Sequence, residues 1–212
     1  MIELSGVGMQ AGKFVLQGIN CVIPTGSYAV LMGRTGCGKS SLLEAICGLR
    51  SITRGSILIS GVDVTRWSVA DRGIGYVPQD LALFPTLTVA EHLQFALRIR
   101  GWSRPAIAQR TAQLAAELGI EHLLKRRVRR LSGGEAQRTA LGRALSFNPD
   151  VLLLDEPLSA LDEATRREIG ELLNFIKTTT RVTTLHVTHN QAEAEHLADV
   201  RLQLAEGQML VL

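Results

Sequence analysis

Tyr28-Ala29-Val30-Leu31-Met32-Gly33-Arg34-Thr35-Gly36-Cys37-Gly38-Lys39-Ser40-Ser41 is the stretch on which the fold turns. The unbroken apolar run from Tyr28 to Met32 predicts a strand buried on both faces, because a half-exposed strand alternates apolar with polar residues. Gly33-x-x-x-x-Gly38-Lys39-Ser40 follows at once and has the spacing of a phosphate-binding loop. Such a loop wraps phosphate oxygens in backbone N–H groups, which needs Gly36 and Gly38 for unusual φ and close approach. The residues from Lys39 to Cys47 read as a helix closed by Gly48, and its N-terminus adds a positive dipole end. In this reading Lys39 is the point charge for the β/γ-phosphates and Ser40 the hydroxyl ligand of Mg²⁺. Cys37 lies beside Lys39, in a loop expected to leave its side chains near solvent.

Working outward, short strands are expected at Ile2–Leu4, Phe14–Leu16, Ile19–Ile23, Ser56–Ile59 and Ile74–Val77. Helical spacing begins at Val89–Leu97 and returns at Thr111–Leu118, with Gly101 and Pro105 breaking the two apart. A third helix is expected from Leu131-Ser132-Gly133-Gly134-Glu135 to about Ser146, stopped by Asn148-Pro149-Asp150. Val151–Leu154 and Leu185–Thr188 are further core strands, and Leu202–Leu204 is expected to close the chain. Strands alternating with helices imply an α/β fold around a parallel sheet with an inserted helical segment.

The bulk properties are compatible with this plan. The 212 residues are 46% hydrophobic and 20% charged, enough for a core and too apolar for wholesale disorder. Only 4% are aromatic, so the core is aliphatic. A net charge of +3 is too weak to argue for nucleic acid, and no apolar run approaches the roughly 20 residues of a spanning helix. The N-terminus lacks the pattern of a signal peptide, and three cysteines, Cys21, Cys37 and Cys47, suit a reducing cytosol.

Two acidic residues end the second buried run. A carboxylate at the C-terminal end of a core strand faces a neighbouring phosphate loop, so Asp155 or Glu156 can serve Mg²⁺ while the other orients a water. Ser132 is placed to cap the third helix, and Gly133 and Gly134 bare its first N–H groups, making a second anion-binding helix end. One nucleotide does not need two such ends from one chain, so the second is read as serving a nucleotide held by another copy. His186 and His189 sit three residues apart, the wrong spacing for a chelate on one strand face. His186 is read as a core or surface residue.

Taken in order along nearly the whole chain, these motifs resemble the ATP-binding subunit of an ABC transporter. Gly33–Ser41 resembles the Walker A loop, Gln79 the Q-loop glutamine, Leu131–Gln137 the signature, Val151–Asp155 Walker B, Ser159–Asp162 the D-loop and His189 the switch histidine. The resemblance implies a P-loop NTPase core with a mostly parallel sheet, an N-terminal antiparallel β-subdomain and an inserted α-helical subdomain. The single domain, 1–212, would divide into a core of about 1–80 and 147–212 and a helical part of 81–146. ATP and Mg²⁺ are the implied cofactors. Gly33, Arg34, Thr35, Gly36, Cys37, Gly38, Lys39, Ser40 and Ser41 would hold the phosphates, and Ser132, Gly133 and Gly134 the partner's nucleotide. Ser40, Gln79 and Asp155 would serve the metal. Glu156 would activate water, His189 would contact the γ-phosphate, and Gln79 would complete the catalytic set. No Tyr occupies the N-terminal stretch where the family stacks adenine, which leaves Phe14, Met9 or Gln10 for that contact, with Phe14 equally suited to the core.

The implied partners are a second copy or a homologous subunit and separate permease subunits, with no nucleic acid. The implied location is cytoplasmic, peripheral on the inner face of the membrane. Asp80–Leu93 resembles the segment that importers of molybdate, sulfate, iron, polyamines or sugars present to a permease; there Phe84 and Leu87 form a docking patch or line the helical segment's own core. The chain ends soon after His189, before the regulatory domain many such importers append. The alternatives are an exporter or membrane-remodelling ATPase, and a DNA-repair or chromosome-type ATPase. The last inserts coiled coils or zinc modules, and neither heptads nor Cys pairs occur here. Lys125–Arg130 is a solvated face or an electropositive collar for phosphate or lipid headgroups.

Overall fold

The computed structural model describes residues 1–11, 14–205 and 207–212. Two sheets share the work. A four-stranded antiparallel sheet is built from β1 (Ile2–Ala11), β2 (Phe14–Ile23), β4 (Arg54–Ile59) and β5 (Val62–Asp63), in the order β2-β1-β4-β5. A six-stranded sheet takes β3 (Tyr28–Met32), β6 (Ile74–Val77), β7 (Val151–Asp155), β8 (Thr183–Val187), β9 (Val200–Ala205) and β10 (Gln208–Val211), in the order β10-β9-β3-β8-β7-β6. All its pairings are parallel except that of β9 with β10. The expected α/β fold with an N-terminal antiparallel sheet is therefore present.

Burial explains why the apolar runs are continuous. In β3, Tyr28 and Val30 pack into one hydrophobic cluster while Ala29 and Leu31 pack into another on the opposite face. In β7, Leu152 and Leu154 divide from Val151 and Leu153 in the same way. One cluster lies under α1 (Lys39–Cys47) and the antiparallel sheet. The other lies under α2 (Val89–Ile99), α3 (Arg104–Leu118), α4 (Gly133–Leu145), α5 (Glu163–Thr180) and α6 (Gln191–Leu197). A strand covered on both faces has no solvated side, so period-2 alternation disappears.

The strand ends are in register. Leu31 pairs with Val187, and Val187 with Asp155, so the C-terminal ends of β3, β8 and β7 lie in one row. Val77 pairs with Leu154 and adds β6 to that row. The four segments that leave these strands, 33–38, 188–190, 156–162 and 78–82, are thereby delivered to one edge, where open α/β sheets place their ligands.

Several expectations need correction. The first strands are long, and β1 and β2 form a hairpin with register shifts between Leu4 and Met9 that the short sequence fragments concealed. Pro105 does not separate helices; it sits in the first turn of α3, behind the Ser103 cap, where a missing N–H costs nothing. The α5 helix, capped by Asp162, was not read from the sequence at all. Nor does Leu202–Leu204 close the chain, because β10 returns antiparallel alongside β9.

Candidate nucleotide and magnesium site

An open cleft of about 370 Å³ lies over the aligned strand ends, lined by Thr35, Gly36, Gly38, Lys39, Ser40, Ser41, Gln79, Glu156 and His189. Gly36 and Gly38 adopt φ of 80° and 97°, left-handed values that a side chain resists. Gly38 is also the N-cap of α1, with no side-chain cap on the helix end, so the first turn's N–H groups face the cleft side of the loop. Lys39 is buried, and its Nζ donates to the carbonyls of Gly33 (2.9 Å) and Arg34 (3.0 Å), which stretches the ammonium back across the loop. Gly33, Arg34 and Cys37 shape this loop without lining the cleft. Cys37 is half-buried against the core rather than open to solvent, its Sγ 2.9 Å from the place a Gly33 Cβ would occupy.

Asp155 ends β7 beneath the loop, 4% exposed, and its Oδ1 is a buried oxygen without a hydrogen-bond donor. Burial raises its carboxyl above the ordinary range. The Ser40 hydroxyl opposes that rise, the charges of Glu156 and Glu44 add to it, and the Lys39 ammonium counters it. An orphaned carboxylate oxygen beside a serine hydroxyl fits a hard divalent cation. Among the described residues no group of three or more His, Cys, Asp or Glu converges. A site of that kind suits Mg²⁺, which takes one or two carboxylates and leaves its remaining positions to water and phosphate.

Glu156 departs from the sequence expectation. It is not the next residue of a regular strand but turns into left-handed backbone at φ 46°, with its N–H donating to the Val187 carbonyl (2.9 Å). A non-glycine residue held there costs about 1–3 kcal/mol, a strain that concentrates at functional sites. The turn swings its carboxylate into the cleft while Asp155 stays below, separating the two acids more sharply than strand alternation would. Glu156 Oε2 lies 3.5 Å from Nδ1 of His189, whose side chain is 62% exposed. His186 is a core residue: fully buried, hydrogen-bonded to the Tyr28 hydroxyl, and pushed by burial down to about 3.

The other nominated residues lie apart. Ser132 caps α4, its hydroxyl accepting from the Glu135 N–H while Glu135 accepts from the Ser132 N–H. Ser132, Gly133 and Gly134 do not line the cleft. Gly134 is buried, and a Cβ there would meet Thr165 Cγ2 of α5 at 2.7 Å, so this glycine permits close helix approach within the chain. The Phe14 side chain lies outside the described residues. In the segment after Gln79, Leu81 and Ala82 are both left-handed, and the Arg143 guanidinium donates to both carbonyls. Phe84 is 40% exposed and stacks on His92, whose Nε2 accepts the Phe84 N–H (2.9 Å). Lys125, Arg126, Arg127, Arg129 and Arg130 are exposed. Thr188, Asn190 and Glu193, which frame His189, were not singled out from the sequence. Asn190 before a helical run was their one visible signal, as an N-cap.

A glycine-rich loop between a core strand and a helix, with a buried aspartate at the end of a parallel strand one place further along the sheet, defines a phosphate-loop α/β protein. The family described as ABC transporter matches residues 16–159. The maltose/maltodextrin import ATP-binding protein MalK of Yersinia pestis is 44% identical over 207 residues, 97% of this chain and 56% of that protein. The molybdate/tungstate import ATP-binding protein WtpC of Archaeoglobus fulgidus is 46% identical over 183 residues, 86% of this chain and 75% of that one. The dimeric post-hydrolysis structure of the ATP-binding cassette MJ0796 bound to ADP and Pi superposes with a TM-score of 0.86 at 28% identity, covering 100% of this chain and 99% of the other. The chain belongs to the ABC transporter family. It spans about half the length of MalK and of the glycerol-3-phosphate importer subunit UgpC of Cereibacter sphaeroides, 56% and 54%. Among the described residues no helix is long and apolar enough to cross a membrane.

Proposed function

We propose that this chain hydrolyses Mg-ATP as one half of a head-to-tail pair and so energises import through a separate permease. The observation that carries this reading is the incomplete cleft. It collects the phosphate loop, Gln79, Glu156 and His189, while the second anion-binding helix end, at Ser132–Gly134, lies outside it. A second copy turned by a twofold axis supplies to each cleft what the other leaves out.

Within one cleft the loop N–H groups and Lys39 take the phosphates. Ser40 and Gln79, with Asp155 below, would hold Mg²⁺, which would neutralise phosphate charge. Glu156 orients a water and accepts its proton as the water oxygen bonds to the γ-phosphorus and the bond to the ADP oxygen breaks. His189 stabilises charge on the γ-phosphate. Phe14 stacks on adenine.

The three helices α2, α3 and α4, within 81–146, form the helical subdomain, inserted between core parts 1–80 and 147–212. Asp80–Leu93 faces the permease, with Phe84 as an apolar contact. The protein works from the cytoplasm, peripheral on the inner membrane face. Import is favoured over export because the relatives described above include import ATP-binding proteins. Purified chain is expected to release phosphate from ATP only with Mg²⁺, and to co-purify with a multi-span membrane protein. Absence of Mg-dependent hydrolysis in both the isolated chain and the co-purified complex would remove the ATPase reading.

The cysteines supply an independent probe of the nucleotide position. Cys21 and Cys47 are buried, and burial pushes both thiols up to about 11, so little thiolate forms at neutral pH. Cys37 is half-buried in the loop itself. Maleimide is expected to label Cys37 before the other two, to inactivate in proportion, and to be slowed by Mg-ATP. Peptide mapping that finds Cys37 labelled equally fast under saturating Mg-ATP places the phosphates elsewhere.

A further inference from the structure

The peptide that carries His189 is held on both flanks by the Thr188 hydroxyl, which the half-buried carboxylate of Glu193 in turn fixes. Thr188, 3% exposed, donates from Oγ1 to Glu193 Oε2 at 2.6 Å and accepts the Asn190 N–H at 3.1 Å. Asn190 Oδ1 in turn accepts the N–H groups of Ala192 (2.9 Å) and Glu193 (3.4 Å), capping α6. The Thr188 N–H donates to the Leu31 carbonyl at 3.2 Å, two residues before the phosphate loop begins. The His189 ring itself is mostly exposed, so its aim depends on how its neighbours are fixed.

Glu193 has a second buried neighbour. Nε2 of His186 lies 3.7 Å from the same Oε2, and that nitrogen has no hydrogen-bond partner. A carboxylate facing it favours the tautomer with hydrogen on Nε2, which makes Nδ1 the acceptor of the Tyr28 hydroxyl at 2.9 Å. A line of oriented groups therefore runs Tyr28, His186, Glu193, Thr188, Asn190, and His189 hangs between its last two members. Nothing in the hydrolytic chemistry requires a carboxylate at 193, which does not line the cleft. Its side chain is nevertheless only 11% exposed, and burying a carboxylate is costly unless it is well used.

We infer that Glu193 is a positioning residue for His189, acting through the Thr188 hydroxyl to fix the imidazole against the cleft. This rests on the reading that His189 meets the γ-phosphate. Glu193→Ala and Thr188→Val each remove one end of the 2.6 Å bond, the second with shape retained. Both are expected to lower kcat at least about tenfold with KM within about twofold, because a group misplaced by an ångström loses its contribution to the transition state while ground-state binding persists. Glu193→Gln keeps an acceptor for Thr188 and is expected to stay within about threefold of the parent.

Two readouts separate positioning from general damage. In a His189→Ala background, Glu193→Ala is expected to add no further loss, since both act through one imidazole. In the nucleotide-free chain, the ring resonances of His189 are expected to shift on Glu193→Ala and Thr188→Val and to return with Glu193→Gln. Equal losses in the parent and His189→Ala backgrounds overturn the inference. So do unchanged His189 resonances in both variants. If His189→Ala alone hydrolyses ATP at the parental rate, the phosphate reading of His189 falls, and the resonances then decide the positioning role by themselves.

Discussion

Glu156→Gln is expected to cut steady-state ATP turnover about 10²-fold or more while leaving nucleotide binding intact, the scale expected for a positioned base. The exchange keeps the shape and most hydrogen bonding of the side chain and removes only its charge. It does not disturb the backbone either, because glutamine meets the same cost as glutamate at φ 46° and the N–H bond to Val187 is unaffected. Asp155 cannot substitute: it is buried below the loop, on the far side of the turn that lifts Glu156 into the cleft. The variant retains every group proposed to grip the triphosphate, so bound ATP persists and the ATP-bound pair accumulates. Steady-state phosphate release and equilibrium nucleotide binding, measured side by side, check both halves. An unchanged hydrolysis rate removes Glu156 from the mechanism.

The second large effect is complementation between two inactive chains. Lys39→Ala disables the phosphate-loop side of a composite site, and a charged residue at the start of α4 disables the other. Gly134 is a poor place for that second change, since any side chain would strike Thr165 within the same chain. Gly133 is better suited: it is exposed, and a Cβ there stands 3.3 Å from Leu161 Cδ2, a flexible side-chain end. Gly133→Asp also puts a negative charge at a helix N-terminus, which the helix tolerates and a triphosphate does not. Each variant alone is expected to lose about 10²-fold, the scale of removing a transition-state donor. In an equal mixture half of the pairs are mixed, each with one intact and one doubly defective site, so about a quarter of the parental rate should return if the two sites work independently. Phosphate release across mixing ratios checks this; no recovery at any ratio argues that both groups serve a site within one chain.

The phosphate loop was legible because its chemistry is local. Gly36, Gly38, Lys39 and Ser40 are spaced by what a backbone must do to surround a phosphate, and the flanking strand and helix announce themselves in the adjacent residues. Val151–Asp155 was legible for a similar reason, as a run buried on both faces ending in an acid. The register that joins Leu31, Val187 and Asp155 in one row is a property of paired strands far apart in sequence, and no local pattern carries it. Glu156 was found by its position after Asp155, but its left-handed turn was invisible, since nothing in Asp-Glu-Pro demands positive φ. The helix Glu163–Thr180 escaped although Asp162 caps it, because the D-loop resemblance absorbed the residues that mark its start. The Thr188–Glu193 bond and the Gly134–Thr165 approach depend on side-chain packing, which sequence spacing does not encode.

The shared site is tested most directly by sedimentation of the Glu156→Gln chain with and without nucleotide. With Mg-ATP the protein is expected to sediment at twice the 23.0 kDa mass of one chain, and with Mg-ADP at the mass of one. A single-chain mass under saturating Mg-ATP, with nucleotide shown to be bound, would contradict a cleft completed by a second copy.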